Sequence, residues 1–427
     1  MINNITEVPE GFKMTELGAL PEKWEIVPFS DSILKVTGFT PKPMQRGKYQ
    51  ATGAYPIIDQ STEYIAGYTD ENDKVYFPDW PLIIFGDHTR IFKYVDFPFA
   101  IGADGTKILK PNLELFAPKY LFYNLVSLNI PSRGYNRHFK LLKETTLVKP
   151  PLPEQKAIAK VLSTIQSAIE AQDKIIYAAK HLKKSLMKHL FTYGPVQISE
   201  AENVQLKETE IGPVPEHWKV VRLIDVAESK SDIVGGPFGS NLKVSDYKDS
   251  GVPIIRLQNI ERNRFINKDI KFISEAKAKQ LEYHSYYPGD IVLAKLGDPI
   301  GKTCMVPNDL RAGIVIADVV RIRTNSCFTN KRFIVYALNT ELCTTQFRSQ
   351  KTGTTRPRVN VSNVRNIKIP LPPLKEQQEI ASILSTIDKK IEAEENRKNA
   401  LQSLFKTMLH HLMTGKVRVK DLEETAS

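Results

Sequence analysis

A chain of 427 residues and 48.4 kDa exceeds what one hydrophobic core usually spans, which points to two or three domains and excludes a peptide or disulfide miniprotein. Hydrophobic residues at 41% and charged residues at 25% are ordinary globular usage, and three cysteines (Cys304, Cys327, Cys343) without C-x-x-C spacing argue against a secreted disulfide framework and a zinc ribbon. Lys plus Arg at 59 against Asp plus Glu at 48 gives a net charge of +11, an excess that suits a polyanionic partner.

The opening residues, MINNITEVPEGFKMTELG, carry acids and no apolar stretch, and no later segment approaches the ~20 apolar residues of a membrane helix. Neither export nor a membrane span is expected, and a reducing cytoplasm is the expected location. Residues 15 to 27, TELGALPEKWEIV, return as TEIGPVPEHWKVV at 209 to 221, with Thr15, Glu16, Gly18, Pro21, Glu22, Trp24 and Val27 repeated. A second marker, PLPEQKAIAKVLSTI at 151 to 165, returns as PLKEQQEIASILSTI at 373 to 387, with ten of fifteen positions identical. The chain is therefore an internal repeat whose variable stretches lie between the two markers.

The first variable stretch, within residues 1–150, holds short β-branched and aromatic runs such as LIIFGDHTR at 82 to 90, and a helix near Pro118 to Leu128. It ends on RGYNRHFK at 133 to 140, a loop rich in phosphate and base-edge donors: Arg133, Tyr135, Asn136 and Arg137. Lys42, Arg46, His88, Thr89 and Arg90 are further donors. The second stretch, within residues 194–371, repeats the pattern with LAKLGDPIG at 293 to 301 and GIVIADVVRIR at 313 to 323. Ala103-Asp104 and Ala317-Asp318 are a weaker echo. Its matching loop is KTGTTRPRVN, with Lys351, Thr354, Thr355, Arg356, Arg358 and Asn360; Arg256, Asn259, Lys295 and Lys302 complete the candidate DNA contacts. Taken singly, each loop also reads as a solvated turn; recurrence at matching places favours binding.

Each stretch is followed by a long amphipathic helix, over 151–193 and 372–414, before a tail at 415–427. Apolar residues fall on an alternating four-three spacing at Ile158, Leu162, Ile165, Ile169, Ile176, Ala179, Leu186 and Leu190, interrupted by Gln172 and Lys183. Ile380, Leu384, Ile387, Ile391, Leu401, Phe405, Met408 and Leu412 repeat the seam, interrupted by Glu394 and Lys398. Prolines precede Glu154 and Glu376, while Gly194 and Gly415 stand where the helices should stop. A stripe this narrow suits another helix better than a broad core face, so the copies are expected to pair. The expected fold is α+β: two β-rich globules separated by two long antiparallel, coiled-coil-like helices, with a pseudo-two-fold repeat.

Catalytic signatures are missing from this pattern. There is no G-x-x-x-x-G-K-[ST] loop, GGPFGS at 235 to 240 lacks the spacing of a dinucleotide fingerprint, and no Asn or Asp precedes a Pro-Pro-aromatic unit. His410, His411 and His189 read as solvated or helix-packing rather than as metal ligands. Asp87 and His88 could form an acid-base pair, yet the second copy carries GDPIG in their place. Neither catalytic nor metal residues are assigned. Two other classes stay open on these residues alone: a stand-alone DNA-modifying enzyme, and a paired-module scaffold for protein.

The order TEIGPVPEHW, variable domain, GTTRPRVNVSNVRNIKIPLPPLKEQQEIASILSTID, long helix and LMTGK resembles the specificity subunit of type I restriction-modification systems, and it occurs twice. The resemblance covers Thr15 to Val419; the first copy departs from it, with LVKPPLPEQ and GYNRHFK in place of IPLPPLKEQ and GTTRPRV. It implies a non-catalytic reader of double-stranded DNA with two target recognition domains, roughly 20 to 150 and 214 to 370, each reading half of an asymmetric bipartite sequence. The helices would be spacers that dock two methyltransferase subunits, joined by restriction subunits. No cofactor is expected on this chain; S-adenosylmethionine, ATP and Mg2+ are expected on those partners.

Overall fold

A computed structural model describes residues 8–36, 42–79, 81–102, 105–132, 134, 136–353 and 357–419. The chain divides into two compact units, Met1–Lys174 with Glu395–Ser427, and Ile175–Glu394, so each unit holds one globule and part of each long helix.

In the first unit one four-stranded sheet has the order Gly67–Thr69, Tyr55–Ile58, Phe99–Ile101, Val75–Tyr76, and a second has the order Ile33–Leu34, Thr106–Pro111, Leu82–Gly86, Phe92–Val95. In the second unit the orders are Lys271–Ile273, Val252–Ile255, Gly313–Val315, Ser285–Tyr286, and Ile233–Gly235, Val319–Ile322, Ile291–Ala294, Thr303–Met305. Both first sheets are antiparallel except for one parallel pair at the same place, Ile57 with Ala100 and Ile254 with Ile314. The repeat seen in the markers thus extends through the variable stretches as topology.

The uninterrupted apolar run at 82 to 85 follows from burial on both faces. Leu82 and Ile84 join Ile58, Val95 and Phe99 in one core, while Ile83 and Phe85 join Phe116, Tyr120 and Leu121 in another. Ile291 and Leu293 alternate with Val292 and Ala294 in the same manner.

The markers have a structural explanation. Strand Glu25–Pro28 pairs antiparallel with Thr146–Lys149, and Lys219–Arg222 with Lys368–Leu371, which brings the tryptophan marker beside the start of each long helix. Trp24 is fully buried and its indole N–H donates to Glu154 Oε2 at 3.0 Å; the Trp218 indole donates to Glu376 Oε2 at 2.9 Å. Next to each glutamate a buried glutamine staples the connection: Gln155 accepts from Ala117 N–H and donates to Leu115 O and Pro150 O, while Gln377 accepts from Asn330 N–H and donates to Phe328 O and Pro372 O. Replacing Glu154 by Ala removes the acceptor of a buried donor, which costs about 1–3 kcal/mol; denaturant unfolding should show that loss. Glu154→Gln should restore only part of it, because both carboxylate oxygens accept, one from Arg418 and the other from Trp24 and Arg418, and an amide has a single acceptor oxygen.

The long helices run Leu152–Tyr193 and Leu374–Met413. In the first unit Ile158, Ala159 and Leu162 share a core with Leu409, Leu412 and Met413, Lys398 pairs with Asp173, and Arg418 pairs with Glu154, a register that runs antiparallel. In the second unit Leu190 and Phe191 share a core with Ile380, Ala381 and Leu384, and Lys183 pairs with Asp388. Two of the seam's polar interruptions, Lys183 and Lys398, are therefore cross-helix ion pairs. Ile169, Ile176 and Ile391 are buried, whereas Ile165, Leu186, Ile387, Leu401, Phe405 and Met408 are half-buried. Gly194 at φ 83° and Gly415 at φ 66° end the helices in the left-handed region.

Among the described residues no helix is long and apolar enough to cross a membrane, and no cluster of His, Cys, Asp or Glu could hold a metal ion. Cys304 and Cys343 are buried and burial pushes both thiols up, Cys343 to about 12; Cys327 is exposed. Because the thiolate is the nucleophile, the native protein should titrate one thiol with Ellman's reagent near pH 8 and three after unfolding.

Candidate nucleic-acid interface

The loops that end each variable stretch are tied to the turn of the central hairpin. In the first globule that turn follows Leu82–Gly86. Asp87 is buried, its carbonyl accepts the His138 N–H at 2.9 Å, and its Oδ1 accepts the Phe139 N–H at 2.7 Å. His138 Nδ1 lies 2.9 Å from the same carbonyl. Asp87 is thereby an anchor for the backbone of the loop, which accounts for its position without acid-base chemistry. Arg90, at φ 64°, donates from Nη1 to Ile130 O at 2.8 Å. These bonds bring His88, Thr89 and Arg90 to the loop that carries Asn136 and Arg137, both exposed.

The second globule repeats the tie with other side chains. Val359 N–H donates to Lys295 O at 2.9 Å, as His138 does to Asp87, and Gly297 N–H donates to Pro357 O at 3.3 Å. Thr352 and Arg358 exchange both backbone hydrogen bonds at 2.9 Å, closing the loop between them. Lys351 and Arg358 are exposed at its base. Lys295 is buried apart from 7% of its surface, and its Nζ lies 4.9 Å from the centroid of the Phe238 ring. Burial lowers the pKa of Lys295; Asp318 opposes that effect and the positive charge of Arg358 adds to it. Of the expected contacts, Arg133, Tyr135, Thr354, Thr355 and Arg356 lie outside the described residues, as does the Ala103-Asp104 echo.

Several other candidates are occupied by the fold. Asn360 caps helix Val361–Asn366, accepting the Asn363 N–H at 2.7 Å. Asn259 is fully buried, accepts from Arg256 N–H, and donates to Ile266 O and Lys268 O. Arg256 is paired with Asp269 at 2.8 Å and Lys302 with Glu261 at 2.7 Å. Lys42 and Arg46 are exposed on a segment linked to the first sheet by the bridge of Met44 with Gly102. One residue that donor chemistry overlooked is Phe238, 70% exposed within Gly-Gly-Pro-Phe-Gly. Its signal was present in the sequence as an aromatic residue between Pro237 and Gly239.

Each unit also carries a groove where its globule meets the long helices. The groove of the first unit, about 650 Å³, is lined by Tyr94, Lys119, Ser163 and Ser167 among others. That of the second, about 310 Å³, is lined by Met305, Arg332, Ser385 and Lys389 among others. These four positions correspond one to one in the repeat, so the grooves are one feature built twice.

The family described as type I restriction modification DNA specificity domain matches residues 21–181 and 215–403. The type I restriction enzyme MjaVIII specificity subunit of Methanocaldococcus jannaschii is 29% identical over 435 residues, covering 97% of each chain. The EcoBI specificity subunit of Escherichia coli is 24% identical over 249 residues, 56% of this chain and 51% of that one. In fold, the chain is similar to the crystal structure of the type I restriction-modification system S subunit from M. genitalium, with a TM-score of 0.59 at 16% identity over 91% of this chain and 96% of that one.

Proposed function

The chain belongs to the type I restriction modification DNA specificity family, and from that premise we propose that its two globules read unlike halves of one split DNA sequence. Specificity subunits are the DNA-recognition components of these systems, so the question is how this one divides the reading. The observation that carries the proposal is the repeated tie between loop and hairpin turn, His138 to Asp87 and Val359 to Lys295, with different side chains mounted on it. A shared platform with unlike donors favours two registers of the same kind of contact and two different base sequences.

Phosphate contacts from Lys and Arg supply affinity without sequence information, and a few side chains per globule supply the discrimination. Arg356 and Arg358 are assigned to the second half-site, and Arg133, Asn136 and Arg137 to the first, because Arg reads guanine O6 and N7 while Asn reads adenine. The spacer fixes how many base pairs between the half-sites go unread. Two copies of a methyltransferase subunit are assigned to the paired grooves, since a feature built twice suits a partner bound twice. S-adenosylmethionine is assigned to those subunits, and ATP and Mg2+ to restriction subunits that join them.

Single-molecule sequencing of methylated adenines in cells that carry the system tests this reading. The expected result is one asymmetric, bipartite motif; a palindrome from the intact chain counts against it. A solitary modifying enzyme would instead bind S-adenosylmethionine as the isolated chain. Replacing Arg356 by Ala should weaken discrimination at one position of the second half-site by about 1–3 kcal/mol, read as competition between duplexes differing at that base. An unchanged motif and affinity would remove Arg356 from the reading set.

A further inference from the structure

We propose that Phe238 is an aromatic wedge that stacks on a base step in or beside the second half-site; this rests on the DNA reading above. Phe238 is 70% exposed although it is among the most apolar side chains in the unit. The backbone beneath it has no room to retreat. Strand Ile233–Gly235 is buried at the edge of its sheet, Gly236 N–H donates to Val319 O at 3.0 Å, and a Cβ at Gly236 would stand 2.1 Å from Ile316 O. Pro237, also buried, fixes the next φ angle. The ring is therefore held out on a rigid base rather than on a loop that could fold it inward.

Its surroundings select the partner. Lys295 Nζ sits 4.9 Å from the ring centroid, and the carbonyl of Lys295 holds the loop that carries Arg358. Lys295 itself is only 7% exposed, so the cation near it that solvent reaches is Arg358, whose charge acts on Lys295; a protein surface covering the ring and this loop would desolvate that guanidinium, at a cost. A duplex instead offers phosphates to the cations and a π-face to the ring. Apolar wedges of this kind enter base steps and unstack them, and base–aromatic stacking is worth about 1–3 kcal/mol per base.

The test uses the complex with its methyltransferase subunits. Duplexes bear the methylation motif, with 2-aminopurine placed singly at steps around the second half-site other than the methylated adenine. Wild type should raise 2-aminopurine fluorescence at one step on binding. Phe238→Ala should abolish that rise and weaken binding to the specific duplex by about 5- to 150-fold. It should change binding to a random duplex less than about twofold, and Phe238→Trp should restore both signals. Because the ring is exposed, the Ala variant should unfold at the same denaturant midpoint. Retained affinity with an unchanged 2-aminopurine signal overturns the proposal. So does an equal loss on specific and random duplexes, or a loss of partner co-purification in place of DNA affinity. Wild type with no preference for the half-site would overturn the DNA reading itself and the wedge with it.

Discussion

Asp at both Ile169 and Ile391 should break the pairing of the long helices. The two positions are 222 residues apart, equivalent in the repeat, and only 7% and 9% exposed. Truncating a buried isoleucine already costs about 2–5 kcal/mol, and a carboxylate there adds desolvation. Ile169 and Ile391 lie in different compact units, so the two losses should come close to adding. Denaturant unfolding should show each single variant destabilised and the double variant unfolded or unable to retain methyltransferase subunits. The sign of the pH effect is fixed. A buried Asp has its folded pKa raised above its unfolded value, so the folded state binds more protons between the two and the defect shrinks as pH falls through that window. Ile165 and Ile387 are half-buried, and Asp at those positions should cost less. Wild-type stability in the double variant would refute the seam.

Residues with fixed partners were the ones legible in the sequence. Trp24 needs Glu154 and Trp218 needs Glu376, and Gln155 and Gln377 each hold three backbone groups. None of these can change alone, and they stand out as a repeat against a drifting background. The seam was equally legible, because a period of alternating four and three is hard to satisfy by any other structure. The sheets were readable only as β-rich runs; their common order depends on pairings between strands far apart in the chain. Site residues were the least legible. Asn360 and Asn259 present the same donors and acceptors whether they meet a base, cap a helix or hold a buried turn, and only their neighbours Asn363, Ile266 and Lys268 decide. In the sequence, only the GDPIG of the second copy speaks against Asp87 and His88 as an acid-base pair; the partners of Asp87, the N–H groups of His138 and Phe139, come from 51 and 52 residues away and were not legible there.

A fragment of residues 1 to 207 should form a two-fold dimer. It contains the first globule and the first long helix but lacks the second helix, whose Leu409, Leu412 and Met413 complete the core of the first unit. Without them the core that Ile158, Ala159 and Leu162 share with the first globule is open on the side of the missing helix. The fragment itself carries the equivalent of the missing residues, because Leu190 and Phe191 occupy in the second unit the places that Leu412 and Met413 occupy in the first. A second copy of the fragment can therefore supply Leu190 and Phe191 where the intact chain supplies Leu412 and Met413, and the exchange is reciprocal as a two-fold interface requires. Three cross-helix ion pairs have no substitute: Arg418, Lys398 and Asp388, which pair with Glu154, Asp173 and Lys183 in the intact chain, lie beyond the fragment, and the repeat puts Ile176 and Gln166 where Lys398 and Asp388 stand. The dimer should accordingly be less stable than the intact protein. Sedimentation at micromolar concentration should give the dimer mass, and Leu190→Asp should return the monomer. Because a two-fold reader demands a two-fold site, the fragment combined with methyltransferase subunits should methylate a palindromic split sequence made from the first half-site alone. A monomer at that concentration, or a dimer that still methylates the asymmetric motif of the intact chain, would show that the two halves are not interchangeable units.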